Sequence, residues 1–296
     1  MKQKILLCGI CALSLFACKK DKKAPDPDAK LYPISFKVSG FLQSATPLDS
    51  KAKTNSLATQ ATDTVPVQLL YYSLYDSDGL LVSARNVKKG DANFGQFNEN
   101  VPAGNYKAVF CGGSNNLLAY RTFFTYITRP DIEGGPAYWD DTFFKLIPFT
   151  VTNTGINQSV TLSRATARLA IVLKDAIPTG TSKIVVKFQD TSAIGSDGLH
   201  HFQAINTTTK TISTTDIGTT NYTIVMNTLN NIKPFDVTID YYGANPSGPL
   251  GTKTIKNVVC KTNYITTLSG NLFTQGNAQF VLAIDQDWGA PVNVNF

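Results

Sequence analysis

Apolar and polar residues alternate along most of this chain. Ile34-Ser-Phe-Lys-Val-Ser-Gly-Phe41 has the period of a half-buried strand. Val67 to Tyr75 leads through Asp78-Gly79 into Leu80 to Val87, a hairpin pattern, because glycine accepts the positive φ of a tight turn. Similar runs follow at Tyr106–Phe110, Arg121–Ile127, Phe143–Val151, Val160–Leu173 and Lys183–Phe188. Tyr222–Met226, Phe235–Tyr242, Thr252–Cys260, Tyr264–Leu272 and Ala278–Ile284 complete the series. No stretch keeps helical spacing for three turns, and Thr, Val, Ile, Tyr and Phe dominate, as suits pleated surfaces. The pattern predicts an all-β protein. So many short strands divide naturally into two sandwiches. The break is expected near Gly155–Ser159, giving an N-terminal β-sandwich domain over 32–158 and a C-terminal one over 159–296.

The two ends of the N-terminal region read differently from the rest. Lys2 and Lys4 precede an apolar run from Ile5 to Ala17, and small Ala17 stands directly before Cys18. The run falls short of the about 20 residues that span a bilayer core. Residues 1–17 therefore read as a lipoprotein signal peptide, with Cys18 as the lipidation site; an ordinary secretory peptide cut elsewhere is the competing reading. Residues 18–31 are charged and proline-containing, with nothing to bury, and predict a lipidated flexible tether. Ser44 to Asp63 is polar and predicts a long loop.

The net charge of +6 looks like an anion-binding signal until its location is considered. Lys2 and Lys4 leave with the signal peptide, and much of the rest lies in the tether, at Lys19, Lys20, Lys22, Lys23 and Lys30. The folding part is left only slightly positive, so no nucleic-acid partner is expected. Cys8 and Cys11 have C-x-x-C spacing but lie inside the cleaved run. Cys111 and Cys260 remain, read as two buried free thiols, with a disulfide as the alternative in an exported protein.

Candidate chemistry is sparse. His200 and His201 are the only histidines and read as an exposed loop pair, since neighbours on an extended chain point to opposite faces and would need a turn to share a metal. Asp140-Asp141 and the pair Asp285 and Asp287 read as solvated carboxylates, with cation binding the alternative. Hydrolase, zincin and phosphate-loop motifs are absent, and Gly112-Gly113 and Gly134-Gly135 read as turns. Neither a cofactor nor a metal is expected, and the chain reads as non-enzymatic. Aromatic pairs stand at Tyr71-Tyr72, Phe123-Phe124, Tyr138-Trp139, Phe143-Phe144 and Tyr241-Tyr242, each with one ring expected in a core and one outside. Outward rings stack on sugars or line interfaces. Tyr138, Trp139, Asp140 and Asp141, flanked by Gly and Pro, are thus the candidate binding loop. Asp63-Thr64-Val65 fits a short bacterial O-glycosylation acceptor pattern.

Several phrases carry a family resemblance. Val101-Pro-Ala-Gly-Asn-Tyr106 leads into Ala108-Val-Phe-Cys-Gly-Gly113, and Leu162-Ser-Arg-Ala-Thr-Ala-Arg-Leu169 opens the second half. Asn263-Tyr-Ile-Thr-Thr-Leu-Ser-Gly-Asn-Leu-Phe273 is followed by Phe280-Val-Leu-Ala-Ile-Asp285 and Trp288. Together with the signal peptide they resemble fimbrillin-like proteins, in particular the fimbrial anchor lipoproteins of Bacteroidota type V pili. The resemblance implies two transthyretin-like β-sandwich domains and an outer-membrane, lipid-anchored location at the cell surface. It also implies fimbrial subunits as partners, joined by β-strand addition, and adhesion to a host or glycan ligand. Stem subunits of that family are cut by an arginine-directed protease near the first domain, but no arginine occurs between Cys18 and Arg85. A subunit that keeps its lipid and first strand suits the base of a fibre. A surface glycan-binding lipoprotein is the alternative, and a hydrolase module a third reading that a deep pocket with paired carboxylates would favour.

Overall fold

A computed structural model describes residues 29–42, 67–114, 118–121, 125–128, 139–244, 247–274 and 280–285. These residues form strands and turns without a helix. In chain order the first strands are β1 (Leu31–Leu42), β2 (Leu69–Asp76), β3 (Leu81–Lys88), β4 (Gln96–Pro102) and β5 (Gly104–Gly113). Next come β6 (Leu118–Arg121), β7 (Thr125–Thr128), β8 (Phe143–Val151) and β9 (Ile156–Arg164). β6 and β7 apart, these build one sheet in the order β3-β2-β5-β8-β9-β1-β4. β8 and β9 meet only at Phe143↔Arg164 and Phe144↔Ser163. The sheet folds over at that corner, so that β3-β2-β5-β8 faces β9-β1-β4 across a common core.

β1 shows how the alternation becomes structure. Ile34, Phe36, Val38 and Phe41 are each at most 1 % exposed, although the step from Val38 to Phe41 breaks the two-residue period. A register shift between Val38 and Gly40 supplies the extra residue, as a β-bulge does, and returns Phe41 to the core. β1 pairs antiparallel with β4 and parallel with β9, so both its edges are filled. Phe36, Tyr72, Phe97 and Phe110 form the aromatic centre, with Tyr72 and Phe97 stacked at 4.8 Å. The β2–β3 turn is held by the Asp76 carboxylate, which accepts from the Asp78 and Leu80 amides at 3.0 and 2.8 Å, with Gly79 at φ 77°. At the far ends of the sheet Glu99 of β4 accepts from Ser83 of β3 at 2.7 Å and pairs with Arg85 at 3.1 Å.

The second sandwich comprises β10 (Ala167–Leu173), β11 (Thr181–Gly195), β12 (His200–Thr211), β13 (Tyr222–Thr228), β14 (Phe235–Gly243), β15 (Gly251–Val258), β16 (Ile265–Gly270) and β17 (Val281–Asp285). One sheet runs β13-β10-β16-β17. The other holds β15, β14 and β11, with β12 paired along β11 from Lys183 to Ile194. Between the sheets lie Leu169, Ile171, Ile184, Val186, Phe188, Val237, Ile239 and Leu268. The last residues of β11 also pair with β7, so the β6–β7 hairpin, from the first half of the chain, extends the second sandwich's sheet.

Three expectations change. The break expected at 158/159 falls inside β9, whose Val160 and Leu162 are buried in the first core. The run read as one strand, Val160–Leu173, divides at Ala165–Thr166, where the chain passes between sandwiches. Alternation continues across that crossing, so the pattern hides it. His200 and His201 open a strand instead of lying in a loop.

Candidate functional site

Trp139, Asp140 and Asp141, three of the four residues expected to form an exposed binding loop, instead make a joint. Trp139 is 1 % exposed, and its Nε1 donates to the Thr191 carbonyl at 2.7 Å. It packs with Leu69, Tyr71 and Cys111 of the first sandwich and with Ile194 and Leu229 of the second. Asp140 accepts from the Ser114 hydroxyl. Both oxygens of Asp141 take the Arg164 guanidinium, at 2.6 and 2.7 Å, while Arg164 Nη1 donates to Asn263 Oδ1 at 2.8 Å. The expectation of an exposed aromatic platform at Trp139 is therefore corrected: the ring is spent on joining two sandwiches. Cys18, Tyr138, Asp63–Val65, Phe123-Phe124, Gly134-Gly135 and Asp287 lie outside the described residues.

Other singled-out residues also find structural roles. His201 Nε2 lies 2.9 Å from Asp197 Oδ2, on the opposite face of the strand from His200. His200 lines a hollow of about 220 Å³ between the sandwiches, with Phe144, Ile194, Leu199 and Ile232. Burial lowers its pKa more than the nearby Asp190 charge raises it. Among the described residues no three His, Cys, Asp or Glu side chains are placed to hold a metal. Cys111 and Cys260 are both free and buried, as read, and burial pushes the Cys260 thiol up to about 12. Gly112 lies within β5, where a Cβ would meet Leu70 and Val67 at 3.0 and 3.1 Å, so it serves close packing and not a turn. One aromatic pair departs from one in, one out, with Tyr72 in the first core and Tyr71 in the joint, whereas Tyr241 packs against the second core and Tyr242 stays outside it. Tyr242 lies under the Lys183 ammonium, 4.8 Å from the ring centre.

The feature that stands out is at the edge of one sheet of the second sandwich. β16 buries Thr266 and Leu268 completely on its core face. β17 pairs with it antiparallel, Thr266 opposite Ile284 and Leu268 opposite Leu282. Directly opposed residues share a face. Leu282 and Ile284 therefore point toward the core side, yet they are 42 % and 46 % exposed, and Val281 on the outer face is 67 % exposed. β17 is also the last strand of its sheet, leaving one row of backbone donors and acceptors without a strand partner among the described residues. Covering these three side chains would contribute on the order of 1 kcal/mol each, about half the value of full burial.

What precedes β17 is held firmly. Asp175, just past β10, accepts from the Leu272 amide at 3.0 Å, the Phe273 amide at 2.7 Å, and the Thr274 amide and hydroxyl at 2.8 and 2.9 Å. Burial pushes its pKa up, but these hydrogen bonds outweigh burial and hold the carboxyl below its ordinary value. Leu272 is buried, and Phe273 meets Tyr241 edge-on at 4.9 Å.

On the first sandwich, β8 and β9 diverge from their corner to leave a hollow of about 460 Å³ beside Leu146, Ile147 and Val160. Pro148, in the middle of β8, has no N–H to offer an added strand there. No helix among the described residues is long and apolar enough to cross a membrane.

A family model described as a family of unknown function, DUF6562, matches residues 47–295. No curated protein matches the chain. Among solved structures, the fimbrial anchor protein Mfa2 from Porphyromonas gingivalis is similar with a TM-score of 0.53 and 13% identity, covering 86% of this chain and 98% of that one. A candidate adhesin from Bacteroides ovatus has a TM-score of 0.52 and 11% identity, covering 86% and 96%. A candidate polysaccharide-binding protein from Bacteroides thetaiotaomicron has a TM-score of 0.55 and 8% identity, covering 89% and 98%. At these identities the likeness shows a shared all-β sandwich fold.

Proposed function

The chain belongs to the DUF6562 family, and from its fold we propose that it is a non-enzymatic surface lipoprotein, a fimbrial anchor or related pilus subunit that joins its neighbours by β-strand exchange. The observation that carries this reading is β17, a strand with an apolar face only half covered and a backbone edge that has no strand partner among the described residues. Inserted between edge strands of another subunit, such a segment gains main-chain hydrogen bonds and apolar burial together. Force along the fibre is then borne by a ladder and a core, without chemistry.

β1 supports the anchor end of this reading. Its four buried side chains and two filled edges make it part of the first core, which suits a subunit that keeps its first strand. Lipid on Cys18 would then fasten the outer membrane to β1 through the tether before Leu31, at a reach of at most about 3.6 Å per residue. The glycan-binding alternative loses its main candidate with Trp139 buried, and Tyr242 is covered by Lys183.

Crosslinking on intact cells, pull-down of the native protein and mass spectrometry test the proposal. A ladder containing a fimbrillin supports the anchor reading. Recovery with sugar-import components would instead support glycan binding. Cys18→Ala is expected to release the protein from the cell, and unchanged attachment would remove the lipid from the account.

A further inference from the structure

We propose that Asp175 sets the boundary between the part of the C-terminal run that stays with the body and the part that leaves it: β16 and Leu272–Thr274 stay, and β17 leaves. The inference rests on the strand-exchange reading and assigns that exchange a hinge. Four hydrogen bonds converge on one carboxylate from three consecutive residues. The carboxylate is itself mounted at the end of β10, a strand paired on both sides. Its grip is thereby passed to the body of the sandwich.

The need for such a grip follows from what lies on either side. Upstream, the ladder from β10 to β16 ends at Leu173↔Gly270, followed by the Lys174 amide donating to the Gly270 carbonyl at 2.8 Å. Peeling that continued into β16 would uncover Leu268, fully buried, and Leu272, 4 % exposed, and would open the core. Downstream, β17 is held by five residue pairs to β16 while the side chains of residues 281–284 stay exposed. Departure of β17 alone costs an edge ladder. Departure of β16 as well would cost the sandwich.

Gly270 is the docking point for the start of the leaving strand. An ideal Cβ there would stand 2.7 Å from the Phe280 ring and 3.0 Å from its Cα. A methyl group at Gly270 would therefore push Phe280, and β17 with it, away from the sheet while leaving the hydrogen bonds to Asp175 in place.

Hydrogen–deuterium exchange by mass spectrometry on the full mature chain separates these roles. In the wild type, β17 amides are expected to exchange on the order of a hundredfold faster than the bonded amides of β16, with the step at Thr274. Asp175→Asn should speed exchange at Leu272–Thr274 by about tenfold or more and carry it into the end of β16. Gly270→Ala should speed β17 severalfold with Leu272–Thr274 unchanged. A single shared rate for β16 and β17 in the wild type, or wild-type protection of Leu272–Thr274 in Asp175→Asn, would overturn the proposal. Strand exchange is tested apart from it: a chain ending at Thr274 should no longer form the crosslinked ladder. An undiminished ladder would sink the exchange reading and leave the exchange rates to decide the role of Asp175.

Discussion

The two sandwiches use one plan and finish it differently. The first folds a single sheet over a corner at Phe143 and Phe144, and its outer strands β3 and β4 meet again through Ser83, Arg85 and Glu99. The second keeps two separate sheets, and one ends in β17, which projects apolar side chains with little cover. The difference teaches where a strand is left with one edge unpaired among the described residues. The first sandwich spends its strands on completing itself, whereas the second holds one back.

Four measurements would break or sharpen this contrast. The largest effect is expected in the first core: Phe36→Ala should cost about 3 to 5 kcal/mol in denaturant unfolding. Leu282→Ala in β17 should cost about 1 kcal/mol or less, and equal costs would mean that β17 is no freer than β1. Next comes the joint, where Arg164→Ala leaves the Asp141 carboxylate without its partner, with a loss of about 3 kcal/mol or more by calorimetry. A smaller, acid-dependent effect belongs to Asp175. Its folded pKa lies below the unfolded value of about 3.9, so its stabilisation is present above that pH and fades as pH falls through the folded pKa. Protection of Leu272–Thr274 should therefore weaken in acid in the wild type, whereas Asp175→Asn should remove this pH dependence. The smallest signal is thiol labelling: Cys111 and Cys260 should both resist an aromatic disulfide reagent at neutral pH until denaturant is added. Labelling of Cys260 ahead of Cys111 as denaturant rises would support the second sandwich as the looser one.

Alternation along the sequence identifies residues that enter a core, but not which core they enter. β1, β8 and the β2–β3 hairpin were legible because their apolar positions are dense and bounded by turn residues. β4 was not, since only Phe97 and Val101 among its residues are strongly buried. β12 is rich in threonine and lies at an edge, where no second buried face enforces a pattern. The joint was misread for a related reason. Trp139, Asp140 and Asp141 stand in a Gly- and Pro-flanked stretch that resembles a loop, and their partners Thr191, Ser114 and Arg164 are distant in sequence. The apolar C-terminal run was legible as a strand. Its partial exposure depends on where the facing sheet stops, which no local pattern records.

β1 also has a mechanical meaning. Its residues are gripped along both edges, by β4 on one side and β9 on the other. A pull applied through the chain before Leu31 is directed along the strand, so the rungs on both sides are loaded in shear and resist together. An edge strand lifted from one end gives way rung by rung, in the manner of a zipper. On the proposed anchor reading, the element nearest the membrane would bear tension, while β17 would be the element that changes hands.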